Sequence, residues 1–364
     1  MAKKLTCDLL VVGAGPAGSR AAMRAASNGL EVILIDSKPR IGERPHCGEF
    51  VPYQVFTEFG LDRNSILHKI DHLDTWILKD KAQVSYDENS IRSNGYLIDR
   101  PKFDRNLARE AASCGALVMS SSTFVDFASY NCVIKSVGEK VTVDAQYIVA
   151  ADGARSSVRN KMGLLVEDCA VGRQIETPLA TSSSRAMVFL DQELYGGYGW
   201  LFPKGTTANI GIGLLPTNEL TAARGLKSLS EMLSRIGMIK PGWFARTSGF
   251  IPGFGIRFPL VVENILFCGD AAGLAHPITG AGIAQAVFSG DIAGEIVTKA
   301  VKSGVSSVLE EYHNAILYRY GAVFRHALAK KKFQLYSWWN DDFPGLCNRT
   351  WISFKGYRKR EPNA

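Results

Sequence analysis

In "CDLLVVGAGPAGSRAAMRAASNGLEVILID" an apolar run ends in glycines, passes into small helix-forming residues, and returns to a second apolar run from Glu31 to Ile35. Continuous apolar runs bounded by turn residues mark strands covered on both faces, so this segment predicts a strand, a helix and a parallel strand. The same form recurs in "YIVAADGARSSVRNKMG", Tyr147 to Gly163, whose apolar strand runs into Asp152 and Gly153. It recurs again in "ENILFCGDAAGLAHPITGAGIAQAVFSGDIAGEIV", where the strand meets Gly269 and Asp270 before a long alanine-rich helix. Between Leu165 and Pro259 the rhythm changes. "RAMVFLDQ", "GYGWLFPKG" and "TANIGIGLL" are short strand-like pieces broken by glycine-rich turns, which predicts an antiparallel sheet. In the second piece Tyr198, Trp200 and Phe202 alternate onto one face. Upstream, "LIDRPKFDRNLAREAASCGA" puts Pro101 in a first helical turn and Phe103, Leu107 and Ala111 on one side of the helix.

These elements predict an α/β protein. A Rossmann-like domain is assembled from residues 1–75, 95–164 and 260–300, an inserted antiparallel-sheet substrate domain from 76–94 and 165–259, and a C-terminal helical region with its tail from 301–364. In that last region "VLEEYHNAILYRYGAVFRHALAKKKFQLYSWW" has helical composition, and the cluster "RHALAKK", Arg325 to Lys331, reads as the wet side of a helix. The closing mixture of aromatic and basic residues is either a packed tail or a patch resting at a lipid interface. At 364 residues and 46% hydrophobic, the chain is long enough for about two domains. The apolar run near the start is too short to span a bilayer. It reads as the first strand of a cytoplasmic protein, with peripheral contact at the inner face of a membrane left open.

Composition narrows the partners only partly. A net charge of +7 permits attraction to anionic lipid, a phosphorylated ligand or an acidic protein. Nucleic acid is the weakest reading, because the basic residues form no long stripe interleaved with aromatics. The seven cysteines are dispersed without a CxxC, which argues against both a disulfide framework and a zinc knuckle. The glycines of the first unit are more specific. Gly13, Gly15 and Gly18, with Pro16 and Ala17 between them, allow a tight turn whose amides open the helix and hold a pyrophosphate. Asp36, after the second strand, is placed to accept from adenosine ribose hydroxyls and disfavours a ribose bearing phosphate.

The segments "GAGPAG", "DGARSSVR" and "GDAAGLAHPITGAGI" are together similar to the signatures of FAD enzymes of the para-hydroxybenzoate hydroxylase class. The resemblance implies FAD as cofactor. It places Gly269 and Asp270 at the ribityl chain, and the amides of Gly280, Ala281, Gly282 and Ile283 toward the pyrimidine oxygen or phosphate. Asp152 and Arg155 are expected to hold neighbouring groups in place, Arg159 to do the same or to form a surface ion pair, and Arg100 to approach the cofactor. There is no second Rossmann fingerprint, so electrons are expected from NAD(P)H or a donor protein by transient docking.

The loop "GERPHCGEFVP", Gly42 to Pro52, gathers His46, Cys47 and Glu49 around one glycine. For zinc, His46 and Cys47 are adjacent and no second pair supplies the remaining ligands; a redox disulfide with a distant cysteine stays open. "HCGEF" and "YGWLFPKG" resemble the geranylgeranyl reductase branch of the same superfamily, although that branch often has glycine at the position of Phe50 and its upstream basic residue is here Arg44. The branch implies that Cys47 and Gly48 line the flavin side of the substrate cavity, where Cys47 is a proton donor or part of the wall. Glu49 is expected to fix the loop by accepting backbone amides, and His46 is a further site candidate. Tyr198, Trp200 and Pro203 become cavity-wall candidates, with Lys204 either approaching a substrate phosphate or sitting in a solvated turn. "YGGYGWLFP" is also weakly similar to the tryptophan-rich signature of flavin-dependent halogenases, but it lacks their paired tryptophans. The implied activity is reduction of carbon–carbon double bonds in a prenyl chain by hydride from flavin N5. The alternatives are a monooxygenase acting through a flavin C4a-hydroperoxide on an aromatic or peptide substrate, and a quinone or electron-transfer flavoprotein.

Overall fold

A computed structural model describes residues 3–43, 47–81, 85–128, 131–164, 169–216 and 221–359. The chain runs β1 (Lys3–Val12), α1 (Pro16–Ser27), β2 (Val32–Ile35), β3 (Phe50–Pro52), α2 (Tyr53–Glu58), β4 (Ile66–Asp80), β5 (Ser85–Ile98) and α3 (Arg100–Ser113). It continues through β6 (Leu117–Met119), β7 (Ser122–Ala128), β8 (Asn131–Ser136), β9 (Glu139–Ala150), α4 (Ser157–Lys161), β10 (Cys169–Pro178), β11 (Arg185–Leu190), β12 (Tyr198–Pro203) and β13 (Thr207–Leu214). The last elements are α5 (Ala222–Arg235), β14 (Ala245–Pro252), β15 (Val261–Val262), β16 (Ile265–Phe267), α6 (Ile283–Ser303), α7 (Glu310–Ile316), α8 (Ala322–Tyr336) and α9 (Phe343–Thr350).

The apolar runs become the parallel sheet they predict. β6, β2, β1, β9 and β16 lie side by side in parallel, and the β7–β8 hairpin joins antiparallel to β9. The buried strand residues Leu9–Val12, Val32–Ile35 and Ile148–Ala150 form the centre of one core with α1 and α6. Those two helices touch at backbone distance. A Cβ on Gly290 would lie 2.0 Å from the Ala17 carbonyl oxygen, and one on Gly294 2.5 Å from that of Ala21. No side chain fits there, so α6 carries glycine on that face.

The second sheet runs β14-β10-β13-β12-β11-β4-β5-β3 and is antiparallel except for the β4–β11 pair. β4 and β5 belong to it along their full lengths, so a division inside these strands at residues 75 and 95 is corrected to their ends, Ile66 and Ile98. The reason is a long β4–β5 ribbon whose polar stretches do not end the pairing. One face of this sheet is covered by α5 through Leu226, Leu229 and Leu233 against Ile210, Ile212 and Leu214. The other face turns toward the first domain.

In the C-terminal region Trp338, Phe343, Leu346 and Trp351 pack on Ile77, Val188 and Leu190 of the second sheet, so this part of the tail is packed. The "RHALAKK" cluster is not simply a wet face: Lys330 and Lys331 are both buried. The Lys331 ammonium donates to the Gly196 carbonyl, and that of Lys330 lies 3.5 Å from the Gly356 carbonyl, because α8 is covered on more sides than its weak amphipathic pattern shows.

Candidate active site

The inner face of the second sheet and the carboxyl ends of the parallel strands enclose a cavity of about 370 Å³. Its floor is built from the sequence signatures. α1 and α6 both begin at a glycine, Gly15 and Gly282, without a side-chain cap, and the cavity is lined there by Gly15, Pro16 and Ala17 and by Gly280, Ala281, Gly282 and Ile283. Helix starts of this kind leave amides without intrahelical acceptors, and their dipoles favour negative charge. A Cβ on Gly13 would fall 2.4 Å from the Ala151 carbonyl oxygen, and one on Gly18 1.8 Å from that of Gly13. At Gly15 a Cβ would meet nothing within 4 Å. Thus two glycines close the turn beneath the site and the middle one opens onto free space.

The carboxylates divide. Asp270 and Gly269 line the cavity, and burial pushes the Asp270 carboxyl upward against the opposing pull of Arg100 and Arg257. Asp152 lies behind the lining: one oxygen accepts the Ser157 amide at 2.6 Å, the Ser157 hydroxyl at 2.8 Å and the Val158 amide at 3.1 Å, which ties down α4. Its other oxygen is buried without a hydrogen-bond partner. Asp36 is outside the cavity lining and holds the first glycine turn, accepting the Ala14 amide at 2.8 Å and the Lys38 amide at 2.9 Å. Uncapped amides, an opening at Gly15 and the acceptor at Asp270 form a donor and acceptor set that fits a flavin dinucleotide.

Above this floor stands an aromatic roof. Tyr198 and Trp200 line the cavity, with Phe202 beside them. Trp200 lies flat across Gly211, where a Cβ would come within 2.3 Å of its ring, and its indole N–H donates to Gln174 at 2.9 Å. The Tyr198 hydroxyl donates to the Thr279 carbonyl at 2.5 Å, joining roof to floor. Pro203 and Lys204 are not part of the lining. Pro203 is buried in the β12–β13 pairing. The Lys204 ammonium is neither solvated nor free for a phosphate, because it is drawn to Glu49 at 2.8 Å and Glu176 at 3.3 Å.

Cys47, Gly48, Glu49 and Arg100 meet at the edge between floor and roof. Burial pushes the Cys47 thiol upward, while the Arg100 guanidinium and the Glu49 amide, 3.1 Å from Sγ, pull the other way without overcoming it. Burial also works against the charge of Arg100, but Asp104, 3.1 Å from two of its nitrogens, and Cys47 hold its pKa above the ordinary value. Glu49 does fix the loop, but through side chains rather than the expected backbone amides: its carboxylate accepts from Asn209 at 2.7 Å and pairs with Lys204. Burial raises its pKa, with Lys204 opposing. His46 lies outside the described residues. Among the described residues no cluster of three or more metal-ligating side chains occurs.

Sequence reading missed Arg257, Asp104 and Asn209. Arg257 is buried, and its guanidinium reaches the carbonyls of Ala154 at 2.6 Å and Asp270 at 3.4 Å, and Cys169 Sγ at 3.4 Å. Arg159, expected to hold neighbours or to form a surface pair, is buried and donates to the carbonyls of Phe258 and Pro259 at 3.0 and 3.2 Å. Of these, only Asp104 carried a signal, its i,i+4 spacing from Arg100.

The FAD binding domain family matches residues 6–174. A digeranylgeranylglycerophospholipid reductase of Methanococcus aeolicus is 31% identical over 345 residues, covering 89% of this chain and 85% of that protein. The chain belongs to this reductase family. A geranylgeranyl bacteriochlorophyll reductase-like protein from Thermoplasma acidophilum has the same fold with a TM-score of 0.83 at 27% identity, covering 97% of this chain and 92% of that one. The p-nitrophenol 4-monooxygenase PnpA of Pseudomonas putida shares the fold alone, with a TM-score of 0.72 at 16% identity and coverage of 98% and 96%. The protein is an FAD-dependent oxidoreductase, and the first glycine turn of the cavity floor lies within the matched FAD binding domain.

Proposed function

We propose that this chain reduces carbon–carbon double bonds of a prenyl chain of the geranylgeranyl class. The observation that carries this reading is the cavity itself, with its aromatic roof, its helix starts below and the half-buried Cys47 thiol, its pKa raised by desolvation, at their junction. When bound, reduced FAD supplies a hydride to one carbon of the double bond. Cys47 donates a proton to the other, and Arg100 stabilises the thiolate left behind. Trp200, Phe202 and Tyr198 hold the chain and exclude water, which an unactivated alkene requires, because orientation must do what its electronics do not. The cofactor contacts fall to Gly15, Pro16, Ala17, Asp270 and the start of α6, with Gly13 and Gly18 shaping the turn, and Asp36 and Asp152 fixing the loops on either side.

Electrons reach the flavin from NAD(P)H or a donor protein that docks transiently. A lipid-like substrate is the ground for extending this proposal to peripheral contact with the inner face of a membrane. Among the described residues no helix is long and apolar enough to cross one.

The test is product mass spectrometry after anaerobic incubation of chemically reduced holoenzyme with geranylgeranyl lipid and diphosphate substrates. A gain of about two mass units per reduced bond is expected. Unchanged prenyl substrates, together with oxygen incorporation into an aromatic compound in air, would overturn the reading in favour of a monooxygenase.

A further inference from the structure

We propose that Lys204 and Asn209 of the roof, acting through Glu49, form the positioning unit that sets Cys47 at the edge of the cavity. The unit deepens the reading of Cys47 as proton donor and rests on it.

Cys47 comes from the connection between β2 of the first sheet and β3 at the edge of the second, whereas Lys204 and Asn209 lie at the β12–β13 hairpin inside the second sheet. Glu49 bridges the two. Its backbone has φ of 69°, a left-handed conformation that glutamate adopts only when its surroundings impose it. In that conformation its amide turns back to Cys47 Sγ at 3.1 Å, its carbonyl accepts the Ile98 amide at 3.1 Å, and its carboxylate enters the roof. There Lys204 Nζ lies at 2.8 Å and Asn209 Nδ2 at 2.7 Å, and the same Asn209 nitrogen lies 3.5 Å from the Gly48 carbonyl. Between these anchors Gly48 sits against Phe202, whose ring would be 2.8 Å from a Cβ at that position. The loop is therefore fixed to the roof by charge, by hydrogen bonds and by contact, and Cys47 follows its backbone.

The strength of the anchor comes from burial. The Lys204 and Glu49 side chains are only 10% and 8% exposed, so losing Lys204 strips the Glu49 carboxylate of its ion-pair partner away from water. Lys204 is itself held by Glu176, whose other oxygen accepts the Thr207 hydroxyl at 2.8 Å, and by its amide, which donates to the Thr207 carbonyl at 2.7 Å. Lys204, Glu176, Thr207 and Asn209 do not line the cavity, so they act on the reaction through the loop they hold, whose Cys47, Gly48 and Glu49 do.

The charged and titratable groups around Cys47 are Arg100 from α3 with Asp104 behind it, Asp270 beyond Arg100, Tyr198 from β12, and Glu49 in its own loop. Substitution at Asn209 removes none of these charges, so a changed Cys47 alkylation profile in N209A reports movement of the loop, whereas K204M also alters the field of Glu49 at the thiol. The experiment follows alkylation of Cys47 by iodoacetamide in FAD-loaded protein as a function of pH, read by peptide mass spectrometry, alongside kcat and KM. K204M and E49Q are each expected to change the alkylation rate by about tenfold or more and to lower kcat more than KM. The double variant K204M/E49Q, which removes both charges, is expected to return toward the parent, because the two effects are coupled. N209A, which strands no charge, is expected to change the rate by about threefold.

Unchanged alkylation profiles in K204M and N209A would overturn the proposal, as would a double variant no better than the worse single one. If K204M does not fold, N209A decides alone. C47A assayed in parallel separates the two readings: unchanged turnover would remove Cys47 as donor, while the alkylation data would still decide whether the roof positions it.

Discussion

At Cys47 desolvation raises the thiol pKa more strongly than Arg100 and the Glu49 amide lower it. For the donor role proposed for Cys47, turnover is expected to hold through neutral pH and to fall where the thiol ionises, above the ordinary thiol range. C47A is expected to slow product formation by about 10² or more with FAD content unchanged, and to abolish that alkaline limb; pH-resolved kcat under anaerobic conditions checks both. The residue scale is also where sequence and structure part most often. That Cys47, Gly48, Tyr198 and Trp200 come to one cavity could be anticipated because their short motifs occupy contiguous stretches of backbone. The place of Lys204 was not, because its charge is satisfied by Glu49 and Glu176, which are remote in sequence and adjacent only after the roof closes over the loop.

Among the elements, α8 departs most from its sequence pattern. A run of lysines on a helix ordinarily faces water, yet burial lowers the Lys331 pKa from 10.5 to about 8. The folded protein thus releases a proton that the unfolded chain retains between roughly pH 8 and 10.5, so this residue's contribution becomes less unfavourable as pH rises through that window. At neutral pH the cost of holding the charge is on the order of 3 kcal/mol, offset in part by the bond to the Gly196 carbonyl. K331M is expected to raise the melting temperature at pH 7, and the difference from the parent should shrink by pH 10; paired thermal melts at the two values check the sign. By contrast α1 and α6 were readable in advance. Their small residues permit the close contact at Ala17 and Gly290, and glycines at their starts leave the amides uncapped.

Across the whole molecule the site exists only where two sheets meet. The Tyr198 hydroxyl donates to the Thr279 carbonyl, which ties β12 to the loop before α6. Y198F removes that tie and is expected to weaken FAD binding by about threefold to tenfold while leaving the fold intact, consistent with a single hydrogen bond; flavin titration of the apoprotein against the parent measures it. The sequence by itself determined the parallel sheet, the glycine turns and the apolar alternation of the roof, because each depends on the local period of apolar residues or on backbone that only glycine allows. Tertiary structure alone decided which charges face each other across the domains, where Asp36 and Asp152 spend their oxygens, and how Glu49 is held in its left-handed conformation. Those outcomes depend on burial and on partners far apart along the chain, and neither is encoded in the spacing of neighbouring residues.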